Sequence, residues 1–148
     1  LSSFPVRICS TWNLFGCSVD AQILTDTATA MADAGLKDSG YIYVNSDDCW
    51  MSFNRSSDGS QVPDPQKFPQ GFKAVSDFIH NLNMKSGLYT AKGPHTCQKR
   101  AASCLHEAQD AKAWASWGID YVKVSNLCLP RSMYVFAHMY VRASDPDH

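Results

Sequence analysis

Hydrophobic positions in this chain switch between short unbroken runs and a spacing of three to four residues, and that switching sketches four strands and four helices. Pro5-Val6-Arg7-Ile8-Cys9 predicts a first strand, followed by a loop through Cys17. Ser18 is a good N-cap for a helix carrying Ile23, Ala30, Met31 and Ala34 on one face and stopping at Gly35. Tyr41-Ile42-Tyr43-Val44 is an unbroken apolar and aromatic run, the pattern of a parallel strand covered on both faces. Residues 51–70 are polar and irregular. Asp58-Gly59 marks a turn, Pro63, Pro65 and Pro69 exclude regular helix, and a loop of this length in a compact chain is usually functional or lid-like. Phe72, Val75, Ile79 and Leu82 form the stripe of a second helix, and residues 85–90 a short third strand. Ser103 predicts the cap of a third helix with Leu105, Ala108, Ala111 and Ala115 on one face, widened by Trp114 and Trp117 and ended by Gly118. Residues 119–124 read as a fourth strand, and Ser132 opens a last helix through about Val141.

Strands alternating with helices imply an α/β fold with a parallel sheet and right-handed crossovers. Four β-α units are half of a (β/α)8 barrel, a fold that typically needs about 250 residues. Residues 1–148 are therefore expected to form a single domain with the architecture of a truncated TIM barrel. No G-x-G-x-x-G or P-loop is present, and the strand ends carry Asp and Lys instead of glycine-rich phosphate cradles. That favours a sugar or other polar small molecule over a nucleotide. The second strand runs into Asp47-Asp48-Cys49-Trp50, and carboxylates at the C-terminal end of a buried parallel strand are where α/β enzymes place binding groups. The plainer reading is an acidic pair that caps the following turn.

Composition narrows the function classes. Of 148 residues 45% are hydrophobic and 18% charged, which is globular and not disordered. The net charge of −1 provides no electrostatic case for nucleic acid or an anionic membrane. The longest apolar run, Met133 to Val141, is too short to span a bilayer. The five histidines show no H-x-x-x-H arrangement and the six cysteines no C-x-x-C, so neither a metal site nor any other cofactor is expected. Cys9, Cys17, Cys49, Cys97, Cys104 and Cys128 are widely spaced, which suits long-range disulfides in an oxidising compartment; reduced core cysteines are the alternative. Asn54-Arg55-Ser56 is a glycosylation sequon and points toward the same compartment, secretory, extracellular or an organelle lumen. The chain does not start with Met, and a removed targeting segment is the corresponding expectation.

Phe15-Gly16-Cys17, the stretch from Tyr43 through Trp50, Gly87-Leu88-Tyr89, the stretch from His106 through Ala111, and the stretch from Trp117 through Lys123 stand in a specific order. Together, over about residues 5–128, they resemble the N-terminal half of the family 27 glycoside hydrolases, the melibiase-like α-galactosidases and α-N-acetylgalactosaminidases. The resemblance implies a retaining (β/α)8 enzyme. It places Asp47 and Asp48 where carboxylates hydrogen-bond the hydroxyls of a galactose ring, Lys123 where a lysine contacts the sugar, and Trp50 and Trp12 among aromatics near the pocket. Acceptors for hydroxyls and an apolar platform for C–H groups are what a sugar needs. It also implies disulfides pairing Cys17 with Cys49 and Cys97 with Cys128, leaving Cys9 and Cys104 free or paired with each other.

Departures from the family pattern are concentrated at the chemistry. Ser125 stands where the nucleophilic Asp belongs, Val124 replaces the aromatic before it, and one extra residue precedes the cysteine. Ala91 replaces the Asp after the third strand, and Ile8-Cys9 replaces a Gly-Trp pair. A retaining glycosidase needs the carboxylate to form its glycosyl-enzyme, and a serine without a local base is no substitute. The acid/base carboxylate lies on the sixth strand in the family, beyond these four units. The preferred expectation is thus a catalytically inactive, galactosidase-like structural or binding subunit of a larger assembly, with a protein partner covering the exposed barrel edges. The alternatives are an active α-galactosidase-type enzyme whose second half lies outside this chain, and a weak, lectin-like galactoside binder.

Overall fold

The computed structural model describes residues 7–125. Four strands, β1 (Arg7–Ser10), β2 (Tyr41–Asn45), β3 (Lys85–Ala91) and β4 (Tyr121–Ser125), lie side by side in the order β1-β2-β3-β4. Every pairing is parallel. The crossovers are α2 (Ala21–Asp33), α3 (Gly71–Asn81) and α4 (Glu107–Ser116). A four-residue helix, α1 (Trp12–Phe15), and a 3-10 turn (Gly16–Ser18) fill the segment expected to be a loop. Four parallel strands in chain order are half the complement of an eight-stranded barrel, as the alternating pattern implied. Among the described residues β1 and β4 each pair on one side only.

The core lies between the sheet and its helices. Val44, Leu88 and Val122 project from β2, β3 and β4 into a cluster with Leu24 and Met31 of α2 and Phe72, Val75 and Ile79 of α3. The α3 stripe is the one its spacing predicts. The α2 stripe is not. Its buried residues are Leu24, Ala28 and Met31, whereas Ala30 and Ala34 are exposed. The cap also differs: Asp20, not Ser18, accepts from the Ile23 amide at 2.8 Å, and Ser18 belongs to the preceding 3-10 turn. Nor is β2 covered evenly, since Tyr41, Ile42 and Tyr43 are only half-buried while Val44 and Asn45 are buried.

Helix α4 departs further from its reading. His106 is its N-cap residue, and the Ser103 hydroxyl instead pairs with Thr90 on β3 at 2.8 Å. The face turned inward carries Asp110 and Trp114, and Leu105, expected in the apolar stripe, is 89% exposed. Asp110 is fully buried because Arg55 reaches it from the long loop with two 2.7 Å hydrogen bonds. The same guanidinium donates to the carbonyls of Gly59 and Ala102. Residues 51–70 therefore form a stapled segment and not a lid: Arg55 ties it to α4, and Arg100 donates to the Met51 carbonyl. The expected last helix, residues 132–141, and residues 5 and 6 of the expected first strand lie outside the described residues.

Gly87 is required by close packing inside the sheet. A Cβ there would sit 2.7 Å from Asn45 Oδ1 and 3.2 Å from the Tyr121 ring. Both neighbours sit on adjoining strands, and Asn45 is buried. Gly87→Ala is expected to cost about 1–3 kcal/mol, the usual range for overpacking, read as a lower urea midpoint with an unchanged slope.

Candidate functional site

Polar side chains converge at the C-terminal edge of the sheet. Asp47 follows β2, and its backbone is fixed by Thr11, whose hydroxyl accepts from the Asp47 amide at 3.1 Å. Its Oδ2 accepts from Lys123 Nζ of β4 at 2.6 Å and from the Ser10 hydroxyl of β1 at 3.1 Å. One carboxylate thus joins the ends of β1, β2 and β4. Its side chain is 5% exposed, whereas that of Lys123 is 46% exposed, so the lysine is the member of the pair that reaches solvent.

Asp47 and Asp48 form a short chain of carboxylate-to-amide bonds. Asp47 Oδ1 accepts from the Asp48 amide at 2.9 Å, and Asp48 Oδ1 from the Cys49 amide at 2.8 Å. Asp48 Oδ2 accepts from the Gln98 amide at 3.0 Å. The turn-capping and ligand-binding readings of this pair are therefore not exclusive: both carboxyl groups shape the turn, and Asp47 also holds the lysine.

Tyr89 of β3 lies beneath Lys123, whose Nζ is 5.3 Å from the ring centroid. The phenol donates to Cys97 Sγ at 3.7 Å. Burial, and secondarily the negative charge of Asp48, push its pKa up to about 12. Tyr89 is thus a neutral hydrogen-bond donor throughout the physiological range. A phenol raised on folding contributes stability that is complete below its ordinary pKa of 10 and is lost as pH rises through about 12. The melting temperature is expected to fall across that window, and Tyr89→Phe to make the fall shallower in a pH series.

Ser125 closes β4 two residues after Lys123, at the position where the resemblance asks for an Asp, and its carbonyl accepts from the Lys92 amide. The two tryptophans separate. Trp12 begins α1 and is 36% exposed. Trp50 is fully buried; it stacks edge-on against Phe72 and Trp117 and donates to the Tyr89 carbonyl at 2.8 Å. Its ring is a core element that ties the Asp47-Asp48 turn to β3, with no open face to offer a ligand.

Cys17 and Cys49 are joined by a disulfide, which fits an oxidising compartment. Cys97 is also disulfide-bonded, and Cys128 lies outside the described residues. Cys9 and Cys104 are free. Lys67 reinforces the first bridge by donating to the carbonyls of both Cys17 and Cys49. Among the described residues no cluster of metal-ligating side chains occurs, and no helix is long and apolar enough to cross a membrane.

Sequence reasoning missed Ser10, Thr11, Tyr89 and Gln98 as parts of this site. Tyr89 had a visible signal, its place in the Gly87-Leu88-Tyr89 motif beside the strand end. Ser10 and Thr11 had only proximity to a predicted strand terminus. Gln98 acts through its backbone amide, which leaves no trace in a side-chain pattern.

Comparison with known proteins gives this arrangement its context. A family model described as alpha galactosidase A matches residues 9–145. An alpha-galactosidase of Cyamopsis tetragonoloba is 47% identical over 127 residues, 85% of this chain and 31% of the relative. That of Coffea arabica is 46% identical over 118 residues, covering 79% of this chain and 31% of the relative. The crystal structure of alpha-galactosidase I from Mortierella vinacea superposes with a TM-score of 0.82 at 49% identity, covering 83% of this chain and 31% of that one. The alpha-galactosidase of Saccharomyces cerevisiae gives 0.81 at 43% identity, over 83% and 27% of the two chains. This chain thus spans less than a third of the length of these relatives. The parallel half-barrel, the carboxylate-and-lysine edge and a match running from Cys9 almost to the last residue together show that the chain belongs to the alpha-galactosidase family of melibiase-like glycoside hydrolases.

Proposed function

We propose that this chain is a galactoside-recognising, non-hydrolytic member of its family, acting as a binding or structural module within a larger assembly. What supports the reading is Ser125 at the end of β4, at the position where the family resemblance asks for the carboxylate that a retaining glycosidase requires. What remains is the equipment for recognition. Asp47 and Asp48 supply fixed acceptors, Lys123 a solvent-reaching donor, and Tyr89 a neutral phenol beside it. A protein partner is the proposed cover for the outer sides of β1 and β4, which each pair on one side only among the described residues. The compartment is oxidising, secretory or extracellular, in keeping with the Cys17–Cys49 bridge.

The test is a pair of measurements on the native protein. Nitrophenyl α-galactoside is expected to release no nitrophenol above the blank, while galactose titrated to millimolar concentration gives a calorimetric signal. Asp47→Ala is expected to weaken that binding by about 10- to 100-fold, the equivalent of hydrogen bonds to a charged group. Hydrolysis above the blank would overturn the non-hydrolytic reading and restore the active-enzyme alternative. Absence of any galactose signal would remove the recognition role.

A further inference from the structure

The loop that α4 staples carries the chain's single Asn-X-Ser/Thr triplet, Asn54-Arg55-Ser56. We propose that Asn54 is an N-glycosylation site, occupied as the chain enters the secretory lumen. The inference rests on the compartment reading above, and its test separates the two.

Three features of the folded chain carry it. Asn54 is exposed and lies in irregular backbone, outside any strand or helix. A glycan there displaces no core residue. Second, the residues on either side are anchored without it. Phe53 packs its ring on the Arg100 guanidinium at 3.8 Å, and Arg55 makes its four hydrogen bonds to Gly59, Ala102 and Asp110. The loop keeps its course from its neighbours alone, and the Asn54 amide projects from a fixed base. Third, Ser56 has a different role in the finished fold: its hydroxyl bonds Asp58 Oδ1 at 2.6 Å and the Ser60 carbonyl at 2.9 Å. The sequon hydroxyl is thus free for the transferase only before this turn forms, which places the modification ahead of folding.

The step is a glycosyl transfer. The Asn54 side-chain nitrogen forms a bond to the anomeric carbon of an oligosaccharide carried on a polyprenyl diphosphate. The glycosyl–phosphate bond breaks, the lipid diphosphate leaves with the bonding pair, and one amide proton passes to a base. No oxidant or reductant is involved.

The experiment uses the protein purified from its natural source, with the redox state of Cys17 and Cys49 read on the same sample. Digestion with peptide-N-glycosidase in heavy-oxygen water, followed by peptide mass mapping, is expected to show the loss of one oligosaccharide and conversion of residue 54 to labelled Asp. Asn54→Gln, expressed through the same secretory route, is expected to lose that mass while keeping its melting temperature, and Ser56→Thr to keep it. A sample with Cys17–Cys49 oxidised and Asn54 bare would overturn the glycosylation proposal and leave the compartment reading standing. A sample with both cysteines reduced and Asn54 bare would overturn both.

Discussion

Asp110→Ala is expected to lower the unfolding free energy by about 3–5 kcal/mol, the usual cost of leaving one member of a buried ion pair without its partner. Asp110 is fully buried and the Arg55 side chain only 14% exposed, so little water is at hand to replace the carboxylate. The lost contacts are two 2.7 Å charged hydrogen bonds that join positions 55 residues apart. A typical domain has about 5–15 kcal/mol in total, so the variant sits near its folding threshold. Urea unfolding followed by far-UV circular dichroism measures the loss. Combining Arg55→Met with Asp110→Leu separates the pair from its surroundings. The double variant is expected to recover part of the loss, because no charge is then left buried. A single variant within about 0.5 kcal/mol of the parent would show that water reaches Arg55 and that the staple is dispensable.

The second large effect belongs to the Cys17–Cys49 bridge. It closes a sequence separation of 32 residues, for which chain entropy predicts about 3–4 kcal/mol. Replacing both cysteines by Ser is expected to remove that amount, measured as a lower urea midpoint. The functional consequence follows from position. Cys49 is fully buried, sits at φ 76°, and gives its amide to Asp48 Oδ1. Without the bridge, nothing covalent holds that positive-φ residue under the carboxylate turn. Galactose affinity is therefore expected to fall in the double-Ser variant even at temperatures where it is folded. Unchanged affinity would show that Thr11, Gln98 and Trp50 fix the turn unaided.

The elements were legible where a local period and burial agree. The stripe Phe72, Val75, Ile79 has one solution, and α3 adopts it. The parallel sheet followed from the alternation of runs and stripes. The errors share a cause, which is that long-range partners decide what is buried. The sequence predicts an alanine face for α4 because Asp110 reads as a solvent-facing charge. Only Arg55, far away in a loop with no periodicity, makes it an interior residue. The α2 stripe differs because small alanines are apolar on either side, while Leu24 and Met31 settle which side packs. At the site, the residues with charged ends were legible: Asp47, Asp48 and Lys123 meet at one edge. Trp50 stands at the same edge in sequence but turns inward, because its indole N–H finds the Tyr89 carbonyl.

The monotonic order of the sheet has a consequence for how the protein is made. Among the described residues β2, β3 and β4 each pair with the strand synthesised just before, so none of these three pairings waits for a distant segment to leave the ribosome. At about 5–20 residues per second, roughly 2–9 s separate completion of β2 from completion of β3. During that interval the first two strands and α2 are in hand, and Cys17 and Cys49 have both emerged. The bridge therefore has time to close on the nascent chain before Tyr89 exists to receive Trp50. The partners of the Asp47-Asp48 turn thus become available in chain order: Cys17 for the bridge first, Tyr89 for the indole second, and Lys123 last.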